Sequence, residues 1–328
     1  MKTEITLLAA TILTATTALA QIPAGYTVAP WHGFSESVVT YSLDDLTPNQ
    51  IPVGLPLFDK YGVKASFNVI TYKVTPDEWR QLKSAVKNGH EVTSHTVNHK
   101  NMAELSAEEF ESECRDSKRT IQHNTGSDCI TLVYPYCASA HKEISSKYYL
   151  SARCCSKHIE PYTPADMFDI SSIGVGAESE TNSAEDFNKW VDIGYERKGW
   201  CTFLIHAIDD DGGYSPIKSS ELEKHLDYVT KNPQKFWAAN FEQVTKYIIE
   251  RDALTITETR DGNKYTVVVG CKATSPLTTF DEPITISRAL PNRFKVKVKD
   301  QNIKNLKIQD NKIMFDVVPG HAYSFFLK

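Results

Sequence analysis

Three polar clusters interrupt the apolar runs of this sequence, and their residue types could carry out hydrolysis. Asp44-Asp45 follows directly on the apolar run Val38–Leu43. Two adjacent carboxylates at a strand end project to opposite faces of the pleat, so one can hold a cation while the other serves as a base. A bare Asp-Asp is more often a solvated turn or a helix cap. His95 and His99 stand four residues apart in the segment His90–His99. On a helical turn both imidazoles would project from one face, a spacing that tetrahedral metal centres use. No glutamate follows His95, which excludes the HExxH protease pattern; two surface histidines in a loop are the plain alternative. His206 lies just past the run Leu204-Ile205 and is a candidate proton donor, where a satisfied core histidine is the commoner case. The acidic run Asp209-Asp210-Asp211 beyond it lacks the spacing and distal Glu of a calcium loop. It reads as a flexible lip over a site.

These residues need a scaffold that brings strand ends together, and the surrounding pattern supplies one. From residue 37 to about 250, apolar or β-branched runs alternate with helical segments. The runs include Ser37–Leu43, Ala65–Ile70, Ile130–Tyr134, Phe168–Val175 and Cys201–Ile205. Helix starts are legible at Thr75-Pro76-Asp77-Glu78, Ser106…Glu109, Ser183…Asp186 and Ser220…Glu223, and Asn88-Gly89 closes the first of these helices. Strand–helix alternation with near-continuous apolar strands predicts a parallel sheet buried on both faces. About seven such units suit a distorted (β/α) barrel, in which chemistry collects at the C-terminal strand ends. After about Arg251 the helical segments stop. Leu254–Thr259 and Lys264–Val269 around Asp261-Gly262 read as a hairpin. Alternating runs follow at Ile284–Arg288, Phe294–Val298, Ile313–Val317 and Tyr323–Leu327. The expected organisation is an α/β barrel over 21–251 and a small all-β, sandwich-like domain over 252–328.

Composition narrows the function. The chain has 328 residues, 41% hydrophobic and 23% charged, with a net charge of −5, and no basic run exceeds two residues. That balance is globular and argues against nucleic acid as a partner. Residues 1–20 combine Lys2, an apolar stretch and an Ala18-Leu19-Ala20 end, which describes a secretory signal peptide too short to span a membrane. Seven cysteines fit an oxidising compartment, and an odd count leaves at least one without an intrachain partner. The adjacent Cys154 and Cys155 are expected to pair with different partners rather than with each other.

At the clusters named above, residues 30–250 resemble the polysaccharide deacetylases of carbohydrate esterase family four. Ser42-Leu43-Asp44-Asp45 is similar to the family's Thr-Phe-Asp-Asp-Gly motif, and Ser94-His95-Thr96-Val97-Asn98-His99 to its histidine motif. Leu132-Val133-Tyr134-Pro135-Tyr136-Cys137 is similar to Arg-Pro-Pro-Tyr-Gly, and Leu204-Ile205-His206 to Leu-x-His. Gly212–Pro216 followed by His225–Tyr228 looks like members that carry an added β domain. The resemblance implies Asp44 as catalytic base, His206 as general acid, and the Tyr136 N–H as part of an oxyanion hole. It implies Asp45, His95 and His99 as ligands of one divalent ion, zinc first, with cobalt or another ion able to substitute. Tyr134, Pro135 and Arg153 are candidate substrate-binding residues.

Three positions depart from the family. Leu46 stands where the first motif has Gly, which narrows the backbone choices at that turn. Val133 stands where the third motif has the Arg that pairs with the base, with Arg153 on the next strand as a replacement. The Asp–Trp signature of the fourth motif has only Asp166, Asp169 and Trp190 as stand-ins. The expected activity is a secreted, metal-dependent deacetylase acting on an acetylated polysaccharide or oligosaccharide, either O-acetyl xylan or an N-acetyl glycan. The alternatives are a carbohydrate-binding protein on the same scaffold without catalysis, and an amidase acting on a small molecule.

Overall fold

The computed structural model describes residues 22–291 and 295–328, so the expected signal peptide and Phe294 lie outside the described residues. Strands of the first part are β1 (Tyr26–Val28), β2 (Ser37–Asp44), β3 (Ser66–Val69), β4 (Glu91–Ser94), β5 (Thr131–Val133), β6 (Ser151–Arg153), β7 (Ile173–Gly174), β8 (Trp200–Ile205) and β9 (Phe236–Ala238). Helices are α1 (Leu55–Lys60), α2 (Pro76–Lys87), α3 (Ala107–Thr125), α4 (Lys142–Tyr148), α5 (Ala184–Arg197), α6 (Ser219–Thr230) and α7 (Phe241–Ala253).

Seven strands make one parallel sheet in the order β6-β5-β4-β3-β2-β8-β7. An isolated parallel bridge between Arg153 and Ile170 ties β6 to the segment entering β7, so the sheet curls nearly into a ring. β9 pairs with the start of β2, below the stretch that β3 takes from Ser42 onward. Every residue of β2 and β8 is buried, as strands covered on both faces require.

The helices begin where the side chains can satisfy the free N–H groups of a first turn. Thr75 with Glu78, Ser106 with Glu109 and Asn240 with Gln243 form complete capping boxes. Gly126 ends α3 at φ +83°, a left-handed cap that costs glycine nothing. The expected start at Ser220…Glu223 is not used. Helix α6 begins at Ser219, whose N–H donates to Asp209 Oδ1 at 2.8 Å. Asp211 Oδ2 likewise accepts from Thr47 Oγ1 and the Asn49 N–H. The acidic run is therefore a brace rather than a loose lip.

The second part holds β10 (Leu254–Asp261), β11 (Lys264–Cys271), β12 (Ile284–Ala289), β13 (Val296–Val298), β14 (Lys304–Gln309), β15 (Lys312–Val317) and β16 (Ala322–Leu327). They form two antiparallel sheets, β1-β12-β15-β14 and β10-β11-β16-β13. The segment expected to open the barrel, from residue 21, instead contributes β1 to the sandwich, with Thr27 opposite Ser287. A single apolar core joins sandwich and barrel base: Ile286, Phe315 and Phe325 belong to the same cluster as Trp31, Trp200 and Phe241.

Candidate metal centre

The three polar clusters meet at the C-terminal ends of β2, β4 and β8. Asp44 closes β2 and Asp45 follows it with φ +75°. Leu46 takes φ +54°, so a leucine occupies the left-handed turn where the resembling family has glycine. His95 follows β4 directly, and its loop turns through left-handed backbone at Thr96 and His99 (φ +67° and +54°).

Asp45, His95 and His99 offer ligand atoms that all lie within 4.8 Å of one another. Asp45 Oδ1 is 3.6 Å from His95 Nε2 and 3.5 Å from His99 Nε2. This oxygen is buried and has no hydrogen-bond partner. A buried carboxylate oxygen between two imidazole nitrogens is a cost unless something cationic satisfies it. His95 Nδ1 lies 2.8 Å from the Val133 carbonyl, which accepts its N–H and leaves Nε2 as the lone pair facing Asp45. Two neutral imidazoles and one carboxylate are the donor set of an open zinc-type site, and the residues fit a divalent ion. For both histidines, burial is the largest influence and holds the ring below its usual pKa against the opposing aspartates, which favours the neutral, ligating form.

Asp44 is gripped from both sides. Asn68 Nδ2 donates to its Oδ1 at 2.6 Å and Arg153 Nη2 to its Oδ2 at 2.5 Å. Burial pushes the carboxyl pKa up, but Arg153, His95, His206 and the Asn68 hydrogen bond together bring it below the usual carboxylate range. Arg153 on β6 lies in register with Val133 on β5, so the guanidinium reaches Asp44 from one strand further along the sheet.

His206 follows β8; its carbonyl accepts from Gln50 Nε2 at 2.9 Å and its ring meets Tyr214 edge-on at 5.1 Å. Tyr136 follows β5 at φ +56°, with its ring 4.7 Å from His99. The disulfide Cys137–Cys155 ties this loop to the residues after Arg153, and the adjacent Cys154 keeps a free thiol.

Several expectations need correction. Tyr134 is 2% exposed, part of the barrel core, with its hydroxyl on Ser145 Oγ, and Pro135 is also buried. Neither side chain can line a substrate site. Arg153 is buried and pairs with Asp44 rather than facing an open surface. Asp166 and Asp169 hold Lys142 Nζ, and Trp190 Nε1 donates to Thr181 Oγ1, so none of the three joins Asp44. Asn68 and Gln50 were not legible as site residues, because each lies within or beside an apolar run with no motif of its own.

Tyr72, Tyr136 and Tyr214 are 61%, 66% and 62% exposed and follow β3, β5 and β8 around the triad. A groove of about 550 Å³ runs off past His99 and Tyr136 along Lys100, Asn101 and Glu104.

Comparison with known proteins matches residues 32–149 to the family of polysaccharide deacetylases. The chain is 26% identical to a gellan lyase of a Bacillus species over 83% of its length, which is 11% of that enzyme. It is 30% identical over 27% of its length to a peptidoglycan-N-acetylglucosamine deacetylase of Bacillus cereus, 41% of whose length is covered. The chain thus spans about a tenth of one curated relative and well under half of the other. Several solved structures share the fold. A candidate polysaccharide deacetylase from Mycobacterium smegmatis superimposes with a TM-score of 0.53 at 13% identity, over 74% of this chain and 99% of that one. The Puue allantoinase superimposes with 0.54 at 10% identity, over 66% and 92%.

Proposed function

We propose that this chain is a divalent-metal-dependent carbohydrate deacetylase that hydrolyses acetyl groups on a polysaccharide. The single observation that carries the reading is the buried, partnerless Oδ1 of Asp45 set between His95 Nε2 and His99 Nε2, beside an Asp44 held ionised by Arg153. When bound there, a divalent ion supplies Lewis-acid chemistry, acidifying water and polarising an acyl carbonyl. Asp44 takes the proton of the attacking water, and its low pKa keeps it free to do so at neutral pH. The Tyr136 amide donates to the oxygen that becomes negative as the carbonyl carbon turns tetrahedral. His206 then delivers a proton to the departing sugar oxygen or nitrogen, and free acetate leaves.

The substrate is a saccharide polymer. Three exposed tyrosines and an open groove flank the triad, a shape and chemistry suited to sugar rings rather than to an enclosed small molecule. The names of the two curated relatives support the same class. The signal-like residues 1–20 and the Cys137–Cys155 disulfide support secretion. Acetate release from acetylated xylan, chitin oligomers and peptidoglycan tests the reading and ranks the linkages. Hydrolysis of at least one is expected, and it should fall by about 10²–10⁴-fold in Asp44→Asn. Saccharide binding without acetate from any of them would replace this reading by a non-catalytic binding protein.

A further inference from the structure

Helix α3 buries the face that carries Phe110, Glu113, Cys114, Ser117 and Ile121. Glu113 is the carboxylate on that face, which also buries Lys118, and is only 4% exposed. A carboxylate there requires donors, and all of those it finds come from the loop between the two metal-ligating histidines. Its Oε2 accepts from the Val97 N–H at 2.8 Å and the Asn98 N–H at 2.9 Å, and its Oε1 from Asn98 Nδ2 at 2.7 Å. Successive backbone N–H groups converging on one anion make a nest.

The loop needs such an anchor. Thr96, a β-branched residue, and His99 both adopt left-handed backbone that side chains of their kind rarely take. Conformations of this cost persist only where the surroundings over-determine them. Thr96 Oγ1 accepts the His99 N–H at 3.0 Å, and the Val97 carbonyl accepts the Tyr72 N–H at 3.3 Å. Those bonds, with the Thr96 N–H on Ser94 Oγ and the Thr71 N–H on the Thr96 carbonyl, hold the ends and one edge of the loop; the Val97 and Asn98 N–H groups between the ligands are held by Glu113.

We infer that Glu113 is a positioning residue for the metal ligands: by accepting from Val97 and Asn98 it fixes the loop that aims His95 and His99 at Asp45. The inference rests on the metal reading above and adds to it a residue that touches no ligand atom. Outer partners that orient ligating side chains are worth about 10–100-fold in metal affinity. Glu113→Ala removes every acceptor. Glu113→Gln keeps the shape and one acceptor oxygen but turns an NH2 toward donors.

The test is zinc affinity, read by competition with a chromophoric chelator on the whole chain, without substrate. Glu113→Ala is expected to bind zinc about 10–100-fold more weakly than wild type, with Glu113→Gln in between. Glu111→Gln, on the same helix but facing Tyr148, should match wild type. If Glu113→Ala does not fold, Glu113→Gln alone carries the comparison. Wild type binding zinc while both variants bind within twofold of it overturns this inference and leaves the metal site standing. A wild-type chain with no zinc affinity overturns the metal site and this inference together.

Discussion

The two ends of the barrel are built from the same strands and do opposite things with their polar groups. At the base, Trp200 and Trp31 are fully buried, and their indole N–H groups donate to Thr40 Oγ1 and the Lys198 carbonyl. On helix α6, packed against that sheet, His225 is bonded at both nitrogens, to Tyr41 and Asn188, and burial drives its pKa down to about 3. It is neutral, saturated and inert. At the top, four of the five buried side-chain atoms without a partner among the described residues belong to Asp45, Gln50, Asn68 and Arg153. His95 is bonded at Nδ1 only and keeps Nε2 for the triad. Full satisfaction marks the end that stabilises, and deliberate incompleteness marks the end prepared for a ligand.

That contrast can be broken most sharply at Asp44. Asp44→Asn keeps the shape and the zinc site but removes the base, so turnover should fall by about 10²–10⁴-fold with zinc content unchanged; steady-state acetate release beside metal analysis reads both. Trp200→Ala should do the reverse at the base. A cavity of that size costs about 3–5 kcal/mol, visible in urea unfolding, while the folded fraction keeps its turnover per site.

A third prediction concerns pH at the seam between barrel and sandwich. Glu250 is buried, and burial, opposed by the Glu282 N–H and Lys246, leaves its pKa at about 7. Between about 4.5 and 7 the folded chain keeps a proton that the unfolded chain releases, so stability falls as pH rises through this window and is complete below it. The effect is on the order of 1–3 kcal/mol. Melting midpoints at pH 5 and pH 8 should differ less for Glu250→Gln than for wild type. The smallest effect is expected at Leu46. Leu46→Gly relieves left-handed strain of roughly 1 kcal/mol but loses the side chain's half-buried packing, so its net stability change should stay within about 1 kcal/mol.

Much of the top end was legible in the sequence because its residues carry their own spacing. Asp44-Asp45 and His206 stand where an apolar run stops, and His95 and His99 carry the four-residue spacing of a ligand pair. Arg153 was legible only as a candidate replacement on the next strand, and it meets Asp44 because β5 and β6 are in register. What was missed acts across strands: Asn68 sits inside the strand Ser66–Val69, with no motif of its own, yet reaches Asp44. Glu113 looks like any helix glutamate until its helix is rotated onto the histidine loop. Tyr134 failed in the other direction: a motif position was read as a site when the strand end there still faces the core. The short β1 strand was missed because its partner, β12, lies some 260 residues away and three residues carry no period.

Deacetylation should require an ion at Asp45, His95 and His99. Chelator-stripped protein should release no acetate from an acetylated glycan and should regain full activity on addition of one equivalent of zinc or cobalt. Undiminished acetate release from metal-free protein would contradict it.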